Sequence, residues 1–152
     1  MSTILIVCTG NLCRSPMGMG LLRRQLAEEG LDGMHRVISA GVWAQEGRAA
    51  SENAVLVMQE RGIDISDHVS RPVTASLVAE ADLILAMSHE HKRVIDNTWP
   101  QYAWKTFLLS EMMGRKSSVE DPYGGPIEEY RLCADIISDY IDQGMGRIVE
   151  LL

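Results

Sequence analysis

The sequence lacks the features of several large protein classes. It has only three cysteines, Cys8, Cys13 and Cys133, and their spacing does not indicate the disulfide framework of a small secreted protein. No cluster of cysteine and histidine has the spacing of a zinc site, because His89 and His91 have no cysteine near them. We therefore expect neither a bound metal nor a cofactor.

Long apolar runs and an excess of positive charge are missing as well. No stretch approaches the ~18 apolar residues of a membrane span, and the N-terminus lacks the basic region of a signal peptide. The formal net charge is −7, so we expect no basic face that could neutralise the phosphates of a nucleic acid. These absences predict a cytoplasmic protein without a membrane or nucleic-acid partner.

What the sequence does contain is typical of a globular protein. Its 152 residues are 46% hydrophobic and 23% charged, values that are ordinary for one domain with a proper core. We expect a single domain over residues 1–152.

Short apolar strands alternate with helical segments along this domain. Strands are expected at residues 4–7, 36–41, 82–87 and 106–109, and helices at 16–30, 49–61, 75–80, 88–97 and 126–141. The last helix is expected to fray through Gly144 and Gly146. Strands without polar alternation predict a parallel sheet that helices cover on both faces. In such sheets, ligands bind beyond the carboxyl ends of the strands.

The stretch that follows the first strand is Cys-Thr-Gly-Asn-Leu-Cys-Arg-Ser-Pro, residues 8–16. Ser15 and Pro16 have the pattern of an N-cap followed by proline at the first helical position, so we expect a helix to begin there. A loop that ends at a helix N-terminus presents backbone N–H groups and a positive dipole end to an anion. Gly10 and Asn11 both tolerate positive φ, which would turn successive N–H groups inward.

The reactive groups of this stretch are Cys8 and Arg14, with five residues between them. The planar guanidinium of Arg14 matches two oxygens of a phosphate, and the same positive field favours the thiolate form of Cys8. A thiolate beside a bound phosphoryl group can attack the phosphorus. The stretch therefore predicts phosphoryl transfer through a phosphocysteine, although a cysteine at the end of a core strand can also be a small buried hydrophobe.

Five motifs, in order, make the chain resemble the low-molecular-weight protein tyrosine phosphatases. They are Val-Cys-Thr-Gly-Asn-Leu-Cys-Arg-Ser-Pro from Val7, Ser-Ala-Gly from Ser39, Asp-His-Val-Ser-Arg from Asp67, Asp-Leu-Ile-Leu-Ala-Met from Asp82 and Asp-Pro-Tyr-Gly-Gly from Asp121. The resemblance covers essentially the whole chain. It implies a flavodoxin-like three-layer sandwich with a four-stranded parallel sheet in the order 2-1-3-4, helices on both faces, and a phosphatase that uses no metal.

The resemblance also implies the catalytic roles. It makes Cys8 the nucleophile, Arg14 the clamp on the phosphoryl oxygens, and Asp121 the general acid and then the general base. Without the cysteine loop, Asp121 would be interpreted as the first residue of an Asp-Pro turn. The implied phosphate-binding residues are Thr9, Gly10, Asn11, Leu12, Cys13, Arg14 and Ser15.

A supporting hydrogen-bond network is implied in the same way. Asn11, Ser15, Ser39 and His68 stand at the positions that hold the loop in the family. We expect Ser15 to donate to the Cys8 thiolate and His68 to support Asn11 without acting as acid or base.

The other two cysteines have separate interpretations. In the family, a cysteine at the position of Cys13 can trap an oxidised nucleophile as a reversible disulfide with Cys8. A packing role is the alternative for Cys13. Cys133 lies on the last expected helix, and we interpret it as a core residue.

The prediction of which phosphorylated residue is the substrate depends most on Leu12. One branch of the family acts on phosphoarginine, and much of this chain resembles that branch, but the branch carries threonine where this chain has Leu12. A guanidinium beside the phosphate needs a small polar wall, whereas a phenyl ring prefers an aliphatic one. Trp43 and Tyr123 would add aromatic walls, although aromatic rings also stack on guanidinium groups or simply pack in loops.

We therefore predict a phosphatase of phosphotyrosine in proteins, with phosphoarginine as the alternative and with inorganic phosphate or vanadate as inhibitors. A thioredoxin-coupled arsenate reductase would need a cysteine pair around the third strand, and residues 82–97 contain no cysteine. A non-catalytic phosphate-binding module would need neither Cys8 nor Asp121. A thiol redox module would leave Arg14 unexplained.

Overall fold

The centre of the fold is a sheet of four parallel strands in the order β2-β1-β3-β4. The computed structural model describes residues 1–152. The strands are β1 (Ser2–Cys8), β2 (His35–Gly41), β3 (Leu83–Ala86) and β4 (Thr106–Leu108). The predicted fold class and strand order are confirmed. Because β1 pairs with both β2 and β3, its carboxyl end lies where the strand order reverses, which is the usual ligand position in such sheets.

Helices cover both faces of this sheet. The α-helices are α1 (Arg14–Glu28), α2 (Glu52–Glu60), α3 (Ala75–Glu80), α4 (His89–Thr98) and α5 (Ile127–Glu150). Two 3-10 helices that the sequence does not predict, Pro100–Lys105 and Leu109–Met113, flank β4. None of these helices combines the length and the apolar composition needed to cross a membrane.

The side chains of β1 alternate between two hydrophobic cores. Ile4 and Ile6 belong to a core of 30 buried residues on one face, whereas Leu5 and Val7 belong to a core of 7 on the other. This division follows from the two-residue period of a strand. The larger core contains residues of α1, α2 and α5, and the smaller one contains residues of α3 and α4. The three layers match the predicted sandwich.

Helix α1 begins two residues earlier than the sequence predicts. Its N-cap is Cys13 instead of Ser15, and no side chain caps it. The hydroxyl group of Ser15 is engaged inside the loop by Asn11 and Cys8, so it does not cap the helix. The prediction of an N-cap at Ser15 is wrong because these loop contacts compete with the local capping pattern.

Helix α2 begins later than predicted, at Glu52 instead of residue 49. Ala49 forms an isolated antiparallel bridge with Val69, and a residue in such a bridge has an extended backbone. This long-range pairing holds the segment before α2 outside the helix.

Helix α5 continues to Glu150 instead of fraying after Ile141. Gly144 lies against the 3-10 helix that precedes the long loop: a Cβ atom at Gly144 would come 2.6 Å from Met112 Cβ and 3.2 Å from its carbonyl carbon. The close approach lets α5 pack its last turns, including the buried Ile148, into the larger core. The packing offsets the conformational cost of glycine in a helix.

Two substitutions in α5 test this close approach. Gly146→Ala should raise the free energy of unfolding by up to about 1 kcal/mol, because nothing lies within 4 Å of a Cβ atom at that position. Gly144→Ala gains the same helix propensity but pushes on the backbone of Met112, and we expect a net loss of about 1 kcal/mol or more. Urea unfolding of both variants measures the difference. Equal stabilisation by the two alanines would contradict the packing of α5 described here.

Candidate active site

The loop between β1 and α1 turns sharply at Asn11. This residue has φ +58° and is the only non-glycine residue in the chain with positive φ. Gly10 tolerates positive φ but does not adopt it here, so the left-handed turn is made by Asn11 alone. Such a backbone is costly for most L-residues but is tolerated by asparagine, whose short side chain can hydrogen-bond locally.

The side chain and backbone of Asn11 are held by four neighbours. Its Nδ2 donates to Ser15 Oγ at 2.7 Å and to Ser39 Oγ at 2.9 Å, and its Oδ1 accepts from Arg71 N at 3.0 Å. Its backbone oxygen accepts from His68 Nε2 at 2.8 Å. The structure thus brings together the four residues of the expected network and adds the backbone of Arg71.

His68 donates in this network in a defined tautomer. The carbonyl oxygen of Asn11 can only accept, so Nε2 of His68 carries the ring hydrogen. Burial lowers the pKa of His68, and the positive charges of Arg23 and Arg71 lower it further, against the hydrogen bond to Asn11. A neutral donor suits the supporting position expected for this residue.

Cys8 ends β1 and lies beside Ser15, with 2.9 Å between Cys8 Sγ and Ser15 Oγ. Because Nδ2 of Asn11 can only donate, Ser15 Oγ accepts from it. The hydroxyl hydrogen of Ser15 is then free to point at the sulfur of Cys8. This arrangement suits a negatively charged sulfur.

Arg14 is 5% exposed and fixed from several sides. Its Nη1 donates to the backbone oxygen of Val119 at 2.9 Å, and its Nη2 donates to Thr9 Oγ1 at 3.2 Å. The same Nη2 lies 3.5 Å from Asp121 Oδ2. Nε is buried and makes no hydrogen bond within the protein, which leaves this donor for an oxygen of a bound anion.

Asp121 reaches the site from the loop before α5. Its side chain is 49% exposed, with Oδ2 near Arg14 and Oδ1 accepting from Tyr123 N at 3.1 Å. The second contact is the Asx-type turn that an Asp-Pro pair favours. The turn geometry and a position facing the cysteine loop therefore occur together, so the two interpretations of Asp121 do not exclude each other.

These groups meet in one pocket at the carboxyl end of β1. It has a volume of about 230 Å³ and is lined by Cys8, Thr9, Gly10, Leu12, Cys13, Arg14, Arg48, Asp121 and Tyr123. Of the expected specificity residues, Leu12 and Tyr123 line it. Trp43 does not: its side chain is 59% exposed, although its backbone N–H donates to Thr9 O at 3.0 Å.

The two remaining cysteines are buried and free. Cys13 Sγ lies 3.2 Å from Ser51 Oγ and 3.5 Å from Tyr130 OH, and burial raises the pKa of this thiol. Burial raises the pKa of Cys133 to about 12, and that side chain belongs to the larger core, as the sequence predicts.

Three residues at the site were not predicted from the sequence. Arg48 lines the pocket, and a Cβ atom at Gly41 would come 2.4 Å from Thr9 O, so only glycine fits beside the loop. His91 contacts Thr9, with 2.8 Å between Nε2 and Thr9 Oγ1. The sequence signal for His91 was its position shortly after β3, at the sheet edge where ligands bind.

No cluster of three or more histidine, cysteine or acidic side chains could hold a metal ion.

Comparison with known proteins agrees with this geometry. Residues 3–150 match the family described as low molecular weight phosphotyrosine protein phosphatase. The chain is 40% identical over 141 residues to the protein-arginine-phosphatase of Bacillus subtilis, covering 92% of this chain and 92% of that protein. It is also 40% identical over 149 residues to the probable low molecular weight protein-tyrosine-phosphatase EpsP of Ralstonia nicotianae, covering 98% of this chain and 97% of that protein.

A solved structure supports the same assignment. The low molecular weight protein tyrosine phosphatase from T. tengcongensis matches with a TM-score of 0.91 at 42% identity, covering 97% of this chain and 99% of that chain. The sequence match and the fold match thus both extend over nearly the whole chain, and both agree with the geometry of the cysteine–arginine loop. This chain belongs to the low molecular weight phosphotyrosine protein phosphatase family.

Proposed function

We propose that the protein hydrolyses phosphotyrosine in phosphorylated proteins through a phosphocysteine intermediate on Cys8. The observation that carries this proposal is a single pocket lined by Cys8, Arg14 and Asp121. A nucleophile, an anion clamp and an acid are what displacement at a phosphomonoester requires. We further propose that the protein acts in the cytoplasm as a single domain, and that inorganic phosphate or vanadate competes for the pocket.

In the first step, the thiolate of Cys8 attacks the phosphorus, and the bond between phosphorus and the tyrosine oxygen breaks. Asp121 gives its proton to that oxygen, because a phenolate is a poor leaving group without one. Arg14 balances the negative charge of the phosphoryl oxygens with the unpaired Nε–H and with Nη2. The hydroxyl of Ser15 stabilises the sulfur as a thiolate before the attack.

In the second step, water attacks the phosphocysteine. The carboxylate of Asp121, now deprotonated, accepts a proton from this water, and the bond between phosphorus and sulfur breaks. Inorganic phosphate leaves, the Cys8 thiolate is restored, and Asp121 is again protonated. The hydroxyl of Ser15, 2.9 Å from the sulfur, stabilises the thiolate as its negative charge returns. The proton given up in the first step is thus recovered in the second.

Leu12 supports phosphotyrosine as the substrate residue. It lines the pocket next to the reacting groups and presents an aliphatic wall, which suits a phenyl ring better than a guanidinium. Tyr123 adds an aromatic wall at the same pocket, whereas Trp43 does not line the pocket and so does not bear on the choice of substrate. Phosphoarginine is the second candidate, because the relatives named for arginine and for tyrosine are equally similar at 40% identity.

Cys13 is proposed as a redox partner of Cys8. A peroxide would oxidise the Cys8 thiolate to a sulfenic acid, and the Cys13 thiol would then displace water to form a disulfide. For this reaction the Cys13 side chain would have to leave its present contacts with Ser51 and Tyr130. A thiol reductant would restore activity.

Cys8→Ser should abolish the steady hydrolysis of an aryl phosphate, because a serine hydroxyl is a far weaker nucleophile than a thiolate here. Release of phosphate from p-nitrophenyl phosphate, without added metal, measures this. Cys133→Ala is the matched control and should retain turnover, since that cysteine lies in the core outside the pocket. Turnover by Cys8→Ser at the rate of the parent protein would contradict the mechanism.

Asp121→Asn should lower kcat by about 10²–10⁴-fold on phosphotyrosine peptides, the usual contribution of a general acid. Asparagine keeps an oxygen for the turn with Tyr123 but has no proton to give. The loss should be smaller on p-nitrophenyl phosphate, whose leaving group needs less protonation, and vanadate should bind nearly as tightly. Equal losses on both substrates, or a collapse of vanadate binding, would mean that Asp121 acts structurally.

Leu12→Thr should shift preference from phosphotyrosine towards phosphoarginine by about 10-fold or more, the usual effect of changing one pocket wall. Matched peptides that differ only in the phosphorylated residue, compared by kcat/KM in parent and variant, give this ratio. A parent protein that prefers phosphoarginine would show that the interpretation of Leu12 is wrong while leaving the chemistry of Cys8 intact.

A further inference from the structure

A chain of hydrogen bonds joins Arg14 to the start of α4. Arg14 Nη2 lies 3.2 Å from Thr9 Oγ1, and Thr9 Oγ1 lies 2.8 Å from His91 Nε2. His91 Nδ1 lies 2.9 Å from the hydroxyl oxygen of Ser88, the N-cap of α4. His91 is 1% exposed and does not line the pocket. A buried histidine, 82 residues away along the chain, is thus bonded to a residue that also holds the phosphate clamp.

The donor and acceptor types of Arg14, Thr9 and His91 determine which atom donates in each of these hydrogen bonds. A guanidinium has only donors, so Thr9 Oγ1 accepts from Arg14. His91 Nε2 is the other polar partner of the Thr9 hydroxyl. The arrangement that uses the hydroxyl hydrogen is donation from Thr9 to Nε2, which must then carry no hydrogen. The ring hydrogen of His91 accordingly lies on Nδ1 and is donated to Ser88 Oγ.

We propose that His91 is a positioning residue for phosphoryl transfer: its unprotonated Nε2 orients the Thr9 hydroxyl so that the oxygen of Thr9 accepts from Arg14. The role rests on the proposed phosphatase activity, because it acts through the clamp on the phosphoryl group. His91 does not line the pocket. It acts through two other side chains.

The charge state of His91 agrees with this role. An imidazolium would donate from both nitrogens, so the Thr9 hydroxyl hydrogen would lose its acceptor, and a second positive charge would lie near Arg14. Burial lowers the pKa of His91 to about 3, and the charge of Arg14 contributes to the shift. The ring is therefore neutral throughout the physiological pH range and available as an acceptor.

The contact with Thr9 helps to orient the guanidinium of Arg14, because few other contacts fix that group. Nη1 is fixed by the backbone oxygen of Val119 at 2.9 Å, whereas the Asp121 carboxylate is half-exposed and 3.5 Å away. The Thr9 hydroxyl is thus the second close contact that sets the plane of the guanidinium. Without it the group can turn about its contact with Val119, and Nε would point less accurately at the phosphoryl oxygens. Misplacement of this kind reduces the rate of the chemical step more than it reduces substrate binding.

A pair of substitutions separates this role from packing. His91→Leu replaces the imidazole with an apolar side chain of similar bulk and so removes the acceptor. We expect kcat on an aryl phosphate to fall about 10-fold with KM changed much less. His91→Gln places an amide oxygen near the position of Nε2 and should restore most of the rate. Urea unfolding of both variants gives their stabilities separately. Leucine as active as glutamine would overturn the proposal.

A double-mutant comparison tests whether His91 acts through Thr9. Thr9→Val removes the hydroxyl group with little change of shape, and His91→Leu should then cause no further loss of kcat. Full additivity of the two losses would overturn the proposal, because it would show that the two residues act independently.

Nitrogen NMR of isotope-labelled protein tests the same proposal without turnover. We expect the Nε2 of His91 to resonate as an unprotonated ring nitrogen and Nδ1 as a protonated one. A protonated Nε2 would overturn the proposal even if the phosphatase activity is present. A protein without phosphatase activity that still shows an unprotonated Nε2 would contradict the proposed function instead, and would keep the hydrogen-bond assignment.

Discussion

The left-handed turn at Asn11 is the constraint on which the rest of the site depends. One amide group has two donor hydrogens and one acceptor oxygen, and here all three are used: on Ser15 at the start of α1, on Ser39 in β2 and on the backbone of Arg71. The turn therefore joins a helix, a strand and a loop that are distant in sequence. Because Asn11 is fully buried, losing any of these contacts would leave a polar group unpaired, at a cost of about 1–3 kcal/mol. The same network places the hydroxyl of Ser15 beside Cys8.

Arg14, the first residue of α1, is also held by a segment far from it in the sequence. The backbone oxygen of Val119 comes from the segment before α5, and this segment is itself tied to the sheet because Val119 N donates to Met87 O at 2.7 Å. Asp121 follows two residues later and reaches the same guanidinium. The clamp and the acid are therefore positioned by one segment. This segment couples the geometry of Arg14 to that of Asp121, although the two residues are far apart in the sequence.

Local patterns in the sequence predicted the parts of the fold that depend on local chemistry. The strand before Cys8, the existence of the five α-helices and the parallel sheet follow from periodicity and burial, and the strand order was implied by the family resemblance. The errors lie where a specific side-chain or backbone contact overrides the local pattern. Ser15 is not the N-cap because Asn11 and Cys8 engage it, and α5 continues because Gly144 fits against a backbone 32 positions earlier in the chain, at Met112. Arg48 and His91 carry no local motif that would place them beside the cysteine loop.

The two buried histidines beside the loop use the same ring atom in opposite ways. Nε2 of His68 must donate, because its partner is the carbonyl oxygen of Asn11, whereas in the proposed arrangement Nε2 of His91 accepts, because its partner is a hydroxyl group already bonded to Arg14. Both rings have pKa values lowered by burial. Their neutrality leaves Arg14 as the buried cation of the pocket. Neither ring lines the pocket, so the buried positive charge there is that of Arg14, a planar guanidinium that can bind two phosphoryl oxygens at once.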